Sequence, residues 1–374
     1  LTLFLIFIGS FFITSDPIIQ KITWVLALSV IISSFSGLFY GFFQARQKME
    51  YQSVAVITEA VITMVAGIVI LFYFPSAQNL SKVYLFASAI ALVLVLFFFN
   101  TRIHIFSIAF NRSVWKRFLF MSWPLALAGM AGAICNQMDS VMLGYFKQIN
   151  ATGWYNAAYR IIGASMVPLG LISGSIFPVL CKFKKSKIEF DKTWNYFITI
   201  TIFIIIPLLS GGIFLAPQII NFIYGSSYSP SILAFQILLI SASITLFYQP
   251  LYQVLFVFNQ QKKIFWTIFL GATLDTILNW LLIPRYSLYG AAITTVVTQF
   301  LIFVALLILT LKLTPIKLIN FTLLSSLVSA LISGLIMHII IWKSIQAFPV
   351  VFLIIVGALV YGLSFLLMFW CPIS

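Results

Sequence analysis

Long apolar stretches alternate with short polar breaks along nearly the whole chain. At a rise of about 1.5 Å per residue, roughly 20 apolar residues cross a hydrocarbon core of about 30 Å as a helix. The pattern therefore predicts an all-α, polytopic membrane protein with twelve transmembrane helices. The predicted spans are residues 1–14, 22–43, 52–74, 83–99, 118–144, 154–180, 194–215, 231–257, 264–284, 288–311, 318–341 and 348–370. Residues 217–224 are interpreted either as an interfacial turn or as an extension of the span before them.

The composition supports the same class of protein. Hydrophobic residues make up 62% of the 374 residues and charged residues only 7%, which leaves too little polar surface for a separate water-soluble domain. The net charge of +14 would favour nucleic-acid binding in a soluble protein, but here the basic residues lie in short loops between apolar runs. Nucleic acid is therefore excluded as a partner, because such binding needs a basic domain.

Basic residues are distributed unequally between the two sides that the twelve spans define. One set of loops carries fifteen Lys and Arg residues and the other set carries five, while Arg160 alone lies within a span. Cytoplasmic loops carry the excess of positive charge in membrane proteins. The first set is therefore predicted to be cytoplasmic, and so is the carboxyl terminus. Because adding or removing one span would scramble the alternation, the count supports twelve.

An internal repeat indicates a duplicated architecture. Leu38–Leu71 and Leu251–Ile283 each contain the end of one span, a Gln-rich basic turn and a span with a single acid, and they start about 215 residues apart. Both copies cross the membrane in the same direction, which predicts two pseudo-symmetric helical lobes.

The repeat also predicts how the chain is divided. The central hairpin Val114–Cys181 would open the second lobe, and its counterpart in the first lobe would precede Leu1. We therefore expect two spans and roughly 100 residues before this chain, in a parent of about fourteen spans. Residues 1–113 are predicted to be the four-helix remainder of the first lobe, residues 114–313 the six-helix second lobe, and residues 314–374 two additional helices.

Polar and ionisable residues inside the predicted spans are the main candidates for function. A charge at mid-bilayer costs roughly 3 kcal/mol, so such residues are expected to face a protein interior or a watery cavity. Arg160 is a candidate to bind an anionic group; alternatively it pairs with Asp139 as a structural lock, or it lies close enough to an interface to reach water. Asn136 is a further candidate substrate contact. Tyr155 and Tyr159 either contact a ligand or anchor their helix at the membrane interface.

Three acids are candidates for coupling transport to H⁺ or Na⁺. Asp139 lies in the central hairpin, and Glu59 and Asp275 occupy similar positions in the two repeat copies. Burial of a carboxylate within a membrane span is costly and is typical of ion pathways. The alternative is that Asp139 only accepts structural hydrogen bonds and that Glu59 and Asp275 are solvated wall residues.

Basic residues at the two equivalent turns of the repeat allow two interpretations. Arg46 and Lys48 lie in the first copy, and Lys262 and Lys263 lie in the second. These side chains either guide an anionic ligand towards the protein or serve only to fix the topology.

No cofactor is expected from the remaining reactive residues. Cys135, Cys181 and Cys371 show neither paired spacing nor a neighbouring His cluster, and His104 and His338 are isolated. The sequence contains no nucleophile with an adjacent base, no phosphate-binding glycine loop and no ATP-binding motif. It therefore predicts a membrane transporter and not an enzyme, driven by an ion gradient or by the membrane potential.

Several stretches resemble a known transporter family. These are FLFMSWPLALAGMAGAICNQMDSVMLGYF, GWYNAAYRI, TILNWLLIPRYSLYGAAITTVVTQ and the turn QARQK. They are similar to the Wzx-type oligosaccharide flippases of the multidrug, oligosaccharidyl-lipid and polysaccharide exporter superfamily. The resemblance implies two six-helix lobes around a central cavity, often with two further helices. It also implies an activity, the movement of undecaprenyl-diphosphate-linked sugar repeat units across the bacterial inner membrane. With such a substrate, Arg160 would bind the diphosphate and Tyr155 and Tyr159 would stack on sugar rings. Arg46 and Lys48 would guide the anionic lipid carrier towards the protein.

The resemblance gives a leading hypothesis and two alternatives. The leading hypothesis is a flippase for O-antigen, capsule or exopolysaccharide synthesis, with lipid-linked oligosaccharide and membrane lipids as ligands and with polymerase and glycosyltransferases as partners. The first alternative is an ion-coupled exporter of multiple drugs or amphipathic cations, which would need acids to dominate its cavity. The second is a non-transporting assembly subunit.

Overall fold

The computed structural model describes residues 16–46, 48–102, 112–113, 115–116, 137–316, 321–345 and 347–370. These residues are helical except for short turns, and no strand occurs among them. The predicted all-α class is therefore confirmed. Predicted span 1–14, most of span 118–144 and the candidate Asn136 lie outside the described residues.

The described helices are named here in chain order. They are α1 Pro17–Ala45, α2 Met49–Tyr73, α3 Ala77–Arg102, α4 137–145, α5 Ile149–Phe183, α6 Lys187–Tyr224, α7 Pro230–Val257, α8 Gln261–Leu313, α9 Phe321–Ser344 and α10 Val350–Trp370, with a 3₁₀ turn at Ser226–Tyr228. Among the described residues, nine helices are long and apolar enough to cross a membrane. The protein is therefore a multi-pass membrane protein, as predicted.

Helix α8 is a hairpin of two antiparallel arms. Its 53 residues are interrupted at Ser287, where φ is 53° and ψ is −136°, a backbone conformation outside the helical region. Thr294 donates a hydrogen bond to Asn279, and Thr298 donates one to Asp275, so residues equally far from the turn face each other. The arms, α8a (261–286) and α8b (288–313), correspond to the predicted spans 264–284 and 288–311.

The chain divides into two compact units, Leu1–Trp123 and Pro124–Ser374. In the first unit, α3 packs against both α1 and α2. Its described core contains Phe43, Ala55 and Val95, and aromatic rings from all three helices surround them. Buried apolar surface of this kind holds a helical bundle together at its centre.

In the second unit, α7 packs against α5, α6 and α8. Half of its most apolar stretch is buried inside the protein, a larger share than in any other candidate span among the described residues. Helices α9 and α10 pack on each other and on α6. Because α7 contacts three neighbours, it holds in place the helices that carry the site described below.

Helix α6 continues through Pro217 because another helix compensates for the missing backbone donor. Proline has no N–H group, so the carbonyl of Ile213, one turn earlier, loses its helical hydrogen bond. The side-chain Nε2 of Gln236 on α7 donates to that carbonyl at 3.0 Å. Residues 217–224 are therefore an extension of the preceding span and not a separate interfacial turn.

This compensation gives a first prediction. Gln236→Met keeps the side-chain volume and removes the donor, so it should lower the free energy of unfolding by about 1 kcal/mol, as hydrogen bonds in membrane proteins do. In a Pro217→Ala background the restored backbone N–H serves the Ile213 carbonyl, and the same change should cost much less. Thermal unfolding of the four purified proteins in detergent measures both effects. Equal losses in the two backgrounds would show that Gln236 does not replace the donor.

Candidate ion and transport site in the second unit

A buried carboxylate lies where α4, α5 and both arms of α8 meet. Asp139 on α4 is only 7% exposed. One of its oxygens accepts hydrogen bonds from the Tyr155 hydroxyl and, at 3.1 Å, from the Thr295 hydroxyl. The other oxygen accepts one from the Asn279 amide at 2.6 Å. Three donors from three segments therefore satisfy this carboxylate, as a buried polar group requires.

A second carboxylate is held beside the first by the same asparagine. The Nδ2 atom of Asn279 also donates to Asp275 on α8a at 2.9 Å, and Thr298 on α8b donates to Asp275 at 2.8 Å. An amide nitrogen carries two hydrogens, so Asn279 can serve both carboxylates at once. Its own oxygen accepts from Thr294, and the whole side chain is inaccessible to solvent. Asn279 therefore fixes the spacing of the two acids.

The turns of two hairpins are joined at one end of this unit, which sets the register of the site. Gln148 lies in the turn between α4 and α5. Its Nε2 donates to the backbone carbonyl of Ile283 at 3.4 Å, and its Oε1 accepts from the Ser287 hydroxyl. The α4–α5 hairpin is thus tied to the α8 turn, which places Asp139 opposite the α8 arms.

The two carboxylates line a small polar cavity of about 250 Å³. Its wall also contains Tyr159 on α5, Tyr248 on α7 and Gln299 on α8b. The Tyr248 hydroxyl donates to the Gln299 oxygen at 2.9 Å. The cavity is slightly smaller than pockets that hold drug-sized ligands, and its volume equals that of about eight water molecules.

Two acids so close within a membrane-spanning bundle repel each other when both are negatively charged. A bound proton or a cation removes that repulsion, and carboxylate and hydroxyl oxygens are suitable ligands for a small hard cation. The arrangement therefore offers oxygen ligands that are chemically suited to H⁺ or Na⁺.

The structure brings together some of the sequence-predicted residues and separates others. Asp139 and Asp275, predicted singly, share one network, and Tyr159 faces their cavity. Tyr155 is 1% exposed and donates to Asp139, so it is neither an exposed interfacial anchor nor open to a sugar ring in this conformation. Arg160 is exposed, and in the described part of the chain it forms no ion pair with Asp139. The structural lock between them is therefore absent.

The remaining candidates among the described residues belong to the first unit. Glu59 on α2 is half-buried and accepts a hydrogen bond from the Ser33 hydroxyl on α1 at 3.4 Å. Arg46 is exposed and lies just after α1, and Lys48 is half-buried before α2. Glu59 thus has a hydroxyl donor within its own unit.

The polar residues that complete the site were not among the candidates predicted from the sequence. A signal was nevertheless present, because Asp275 and Asn279 are four residues apart, as are Thr294 and Thr298. Residues at that spacing lie on one face of a helix. Two polar faces on neighbouring apolar spans joined by a short turn indicate side chains that meet inside a hairpin. The site residues missed in this way are Asn279, Thr294, Thr295, Thr298, Tyr248 and Gln299.

Comparison with known families identifies the type of protein. Residues 1–233 match the family described as "Polysaccharide biosynthesis protein". The chain belongs to this family. The similarity to polysaccharide flippases drawn from its sequence is thereby confirmed.

Two curated relatives of this polysaccharide biosynthesis protein are informative. The capsular polysaccharide biosynthesis protein CapF of Staphylococcus aureus is 24% identical over 301 residues, which cover 75% of this chain and 72% of CapF. The probable low-salt glycan biosynthesis flippase Agl15 of Haloferax volcanii is 23% identical over 175 residues, 45% of this chain. This match covers only 36% of the length of Agl15, and the match to a further relative covers only 39% of that relative's length.

Solved structures show the fold. The lipid II flippase MurJ in an inward closed conformation matches 93% of this chain and 73% of its own, with a TM-score of 0.73 at 18% identity. A multidrug MATE transporter of the MOP superfamily, inward-facing, matches 83% of this chain and 77% of its own, with a TM-score of 0.67 at 15% identity. The chain therefore has the fold of these membrane transporters.

Proposed function

We propose that this protein is part of a flippase that moves a lipid-linked oligosaccharide across the cytoplasmic membrane of a bacterium for surface polysaccharide synthesis. The observation that carries the proposal is the paired-carboxylate cavity inside a transporter fold whose family acts in polysaccharide biosynthesis. The specific substrate is an undecaprenyl-diphosphate-linked repeat unit of O-antigen, capsule or exopolysaccharide. The basic turns and the carboxyl terminus of the protein face the cytoplasm.

The cavity is assigned to the coupling ion and not to the oligosaccharide. A volume of about 250 Å³ accommodates an ion with a few waters, whereas an oligosaccharide is larger than the drug-sized ligands that fill pockets of roughly 300–1,000 Å³. Asp139 and Asp275 take up H⁺ or Na⁺ from one side and release it on the other. Glu59 serves the same role in the first unit. Binding and release then bias the protein between its inward- and outward-facing states.

The diphosphate of the carrier is assigned to Arg160. Its guanidinium is exposed and has no ion pair with a carboxylate in the described part of the chain, so it is available to a phosphate in a two-pronged hydrogen bond. It lies about 17 Å along α5 from the helix start, well inside the membrane-spanning length. Tyr159, the preceding residue, lines the ion cavity, which brings the substrate and ion sites next to each other on α5.

Replacing Arg160 should therefore reduce transport without affecting folding. In the full-length protein, Arg160→Gln is expected to lower the transport rate about 10- to 100-fold, since a hydrogen bond to a charged group contributes roughly 1.5–3 kcal/mol. Its thermal unfolding should stay unchanged. Lys147→Gln, which removes an exposed charge outside the helices, is the matched control. Wild-type transport by Arg160→Gln would overturn its assignment to the diphosphate.

The flippase proposal itself is tested in the native host. Deleting the gene should stop surface polymer synthesis and cause the lipid-linked precursor to accumulate on the cytoplasmic side, and the full-length gene should reverse both effects. Intact polymer synthesis without precursor accumulation would contradict the proposal.

A specific observation also favours an ion-coupled cation exporter as a second candidate. Such an exporter needs acids in its cavity, and the described residues that line the cavity of the second unit include two acids and no basic side chain. The test is the drug susceptibility of the deletion strain. Sensitivity to several amphipathic cations with normal polymer synthesis would support the exporter. Loss of polymer with unchanged drug sensitivity would exclude it.

A further inference from the structure

Two lysine-rich turns of the second unit are clamped together. The turn between α5 and α6 and the turn between α7 and α8a both connect membrane spans. Lys184 in the first turn donates to the Val257 carbonyl at the end of α7, at 2.7 Å, and its ammonium lies 5.2 Å from the centre of the Phe258 ring. Phe258 also packs edge-on against Phe190 of α6, with ring centres 5.8 Å apart. These contacts fix the two turns as one surface.

The joined turns carry a dense positive charge. The acid at the start of α6, Glu189, is already paired with Lys192 at 3.0 Å. In the described part of the chain, no carboxylate forms an ion pair with the exposed lysines of the two turns. These lysines, named here the lysine patch, are Lys182, Lys184, Lys185, Lys187, Lys262 and Lys263.

An exposed aromatic surface lies on α8a, immediately after the last lysine of the lysine patch. On α8a, the rings of Phe265, Trp266 and Phe269 contact one another, and each side chain is about half exposed. They follow Lys263 within about 9 Å along the helix. In a membrane-spanning helix, exposed apolar side chains at this depth contact acyl chains, and aromatic rings prefer the level of the head groups.

We propose that the lysine patch and this aromatic surface together bind an anionic phospholipid. Lys185, Lys262 and Lys263 hold its phosphate, and its acyl chains lie along Trp266 and Phe269. Clusters of four to eight basic residues beside a membrane span attract anionic lipids, and each contributes about fivefold to binding. Topology alone requires positive loops but does not require two of them to be clamped into one surface. The aromatic surface favours a lipid over an acidic soluble protein, because it continues into the depth of the span.

The test uses the purified full-length protein in neutral detergent and native mass spectrometry. The probes are phosphatidylglycerol and phosphatidylcholine with identical acyl chains. Phosphatidylglycerol should bind at least about tenfold more tightly, and the triple variant Lys185→Gln, Lys262→Gln, Lys263→Gln should lose that preference. The matched control Lys147→Gln, Lys312→Gln, Lys343→Gln removes as many exposed charges from positions outside the lysine patch and should keep the preference. The corresponding triple arginine variant should also keep it.

Two further measurements identify the source of the bound phosphate. Trp266→Ala should weaken phosphatidylglycerol binding several-fold, and glycerol phosphate without acyl chains should not compete. Equal binding of the two phospholipids, full competition by glycerol phosphate, or equal loss in the patch and control variants would overturn the proposal. So would displacement of phosphatidylglycerol by an acidic peptide at equal concentration, which would indicate a protein ligand. Because binding is measured without transport, failure of this proposal is distinguishable from failure of the flippase assignment.

Discussion

Gly290→Ala is expected to destabilise the protein, and by more than a Gly→Ala substitution at a position where the added methyl group meets no other atom. A Cβ at residue 290 would lie 2.6 Å from the backbone oxygen of Leu282 and 2.8 Å from its carbonyl carbon. Backbone atoms in the facing arm cannot rotate away, so the two arms of α8 must separate. Overpacking of this kind costs about 1–3 kcal/mol. The separation would also loosen the hydrogen bond between Thr294 and Asn279, one turn from the glycine.

Two glycines provide matched controls for this prediction. A Cβ at Gly163 on α5 meets no heavy atom within 4 Å, so Gly163→Ala should leave the thermal unfolding midpoint unchanged or raise it slightly. A Cβ at Gly271 would lie 2.5 Å from Cδ1 and 2.6 Å from Cγ1 of Ile302. These side-chain atoms can shift farther than backbone atoms, so Gly271→Ala should have an intermediate effect. An equal unfolding midpoint for Gly290→Ala and Gly163→Ala in detergent would show that the arms do not approach as described.

Neutralising either carboxylate of the cavity should abolish coupling and leave the fold intact. Asp139→Asn and Asp275→Asn keep the side-chain shape and one acceptor oxygen, so the Tyr155 and Thr298 hydroxyls retain their partners. The new amide nitrogen replaces the oxygen that accepts from Asn279, so one hydrogen bond of Asn279 is lost in each variant. What is lost is the negative charge that binds the ion. Coupling energies between two sites are typically 1–3 kcal/mol, so the transport rate should fall about 5- to 150-fold.

Surface polymer produced by a deletion strain carrying each full-length variant measures this effect. Asp191→Asn on α6, a carboxylate outside the cavity, is the matched control and should restore normal polymer. The variant proteins should reach wild-type amounts in the membrane and unfold close to the wild-type temperature, because the loss of like-charge repulsion offsets the loss of one hydrogen bond from Asn279. Normal polymer with both asparagine variants would remove the cavity from the mechanism.

The sequence predicted the membrane-spanning helices well because hydropathy is a local property. Span 231–257 corresponds to α7 Pro230–Val257, and the polar break around Pro284 and Arg285 correctly separated the two arms of α8. The predicted spans 154–180 and 194–215 are shorter at both ends than α5 and α6. Lysine, asparagine and glutamine near a span end interrupt the apolar pattern, yet they are compatible with a helix that extends beyond the bilayer core.

The site was only partly predictable because its geometry depends on contacts distant in sequence. Charge inside apolar spans identified Asp139 and Asp275 as candidates, but their shared partner Asn279 joins helices that are 140 residues apart along the chain. No local pattern shows which face of α5 packs on α4. For this reason Tyr155 was expected at a substrate or an interface, whereas it is the buried donor that holds Asp139.

The most direct measurement is translocation in vesicles that contain only the purified full-length protein. A fluorescent lipid-linked oligosaccharide is added to one leaflet, and its arrival in the other is followed with a membrane-impermeant quencher under an imposed H⁺ or Na⁺ gradient. Gradient-dependent movement is expected with the wild-type protein and should be lost in Asp139→Asn and Asp275→Asn. Absence of movement in the wild type, or movement that neither the gradient nor these substitutions affect, would contradict this expectation.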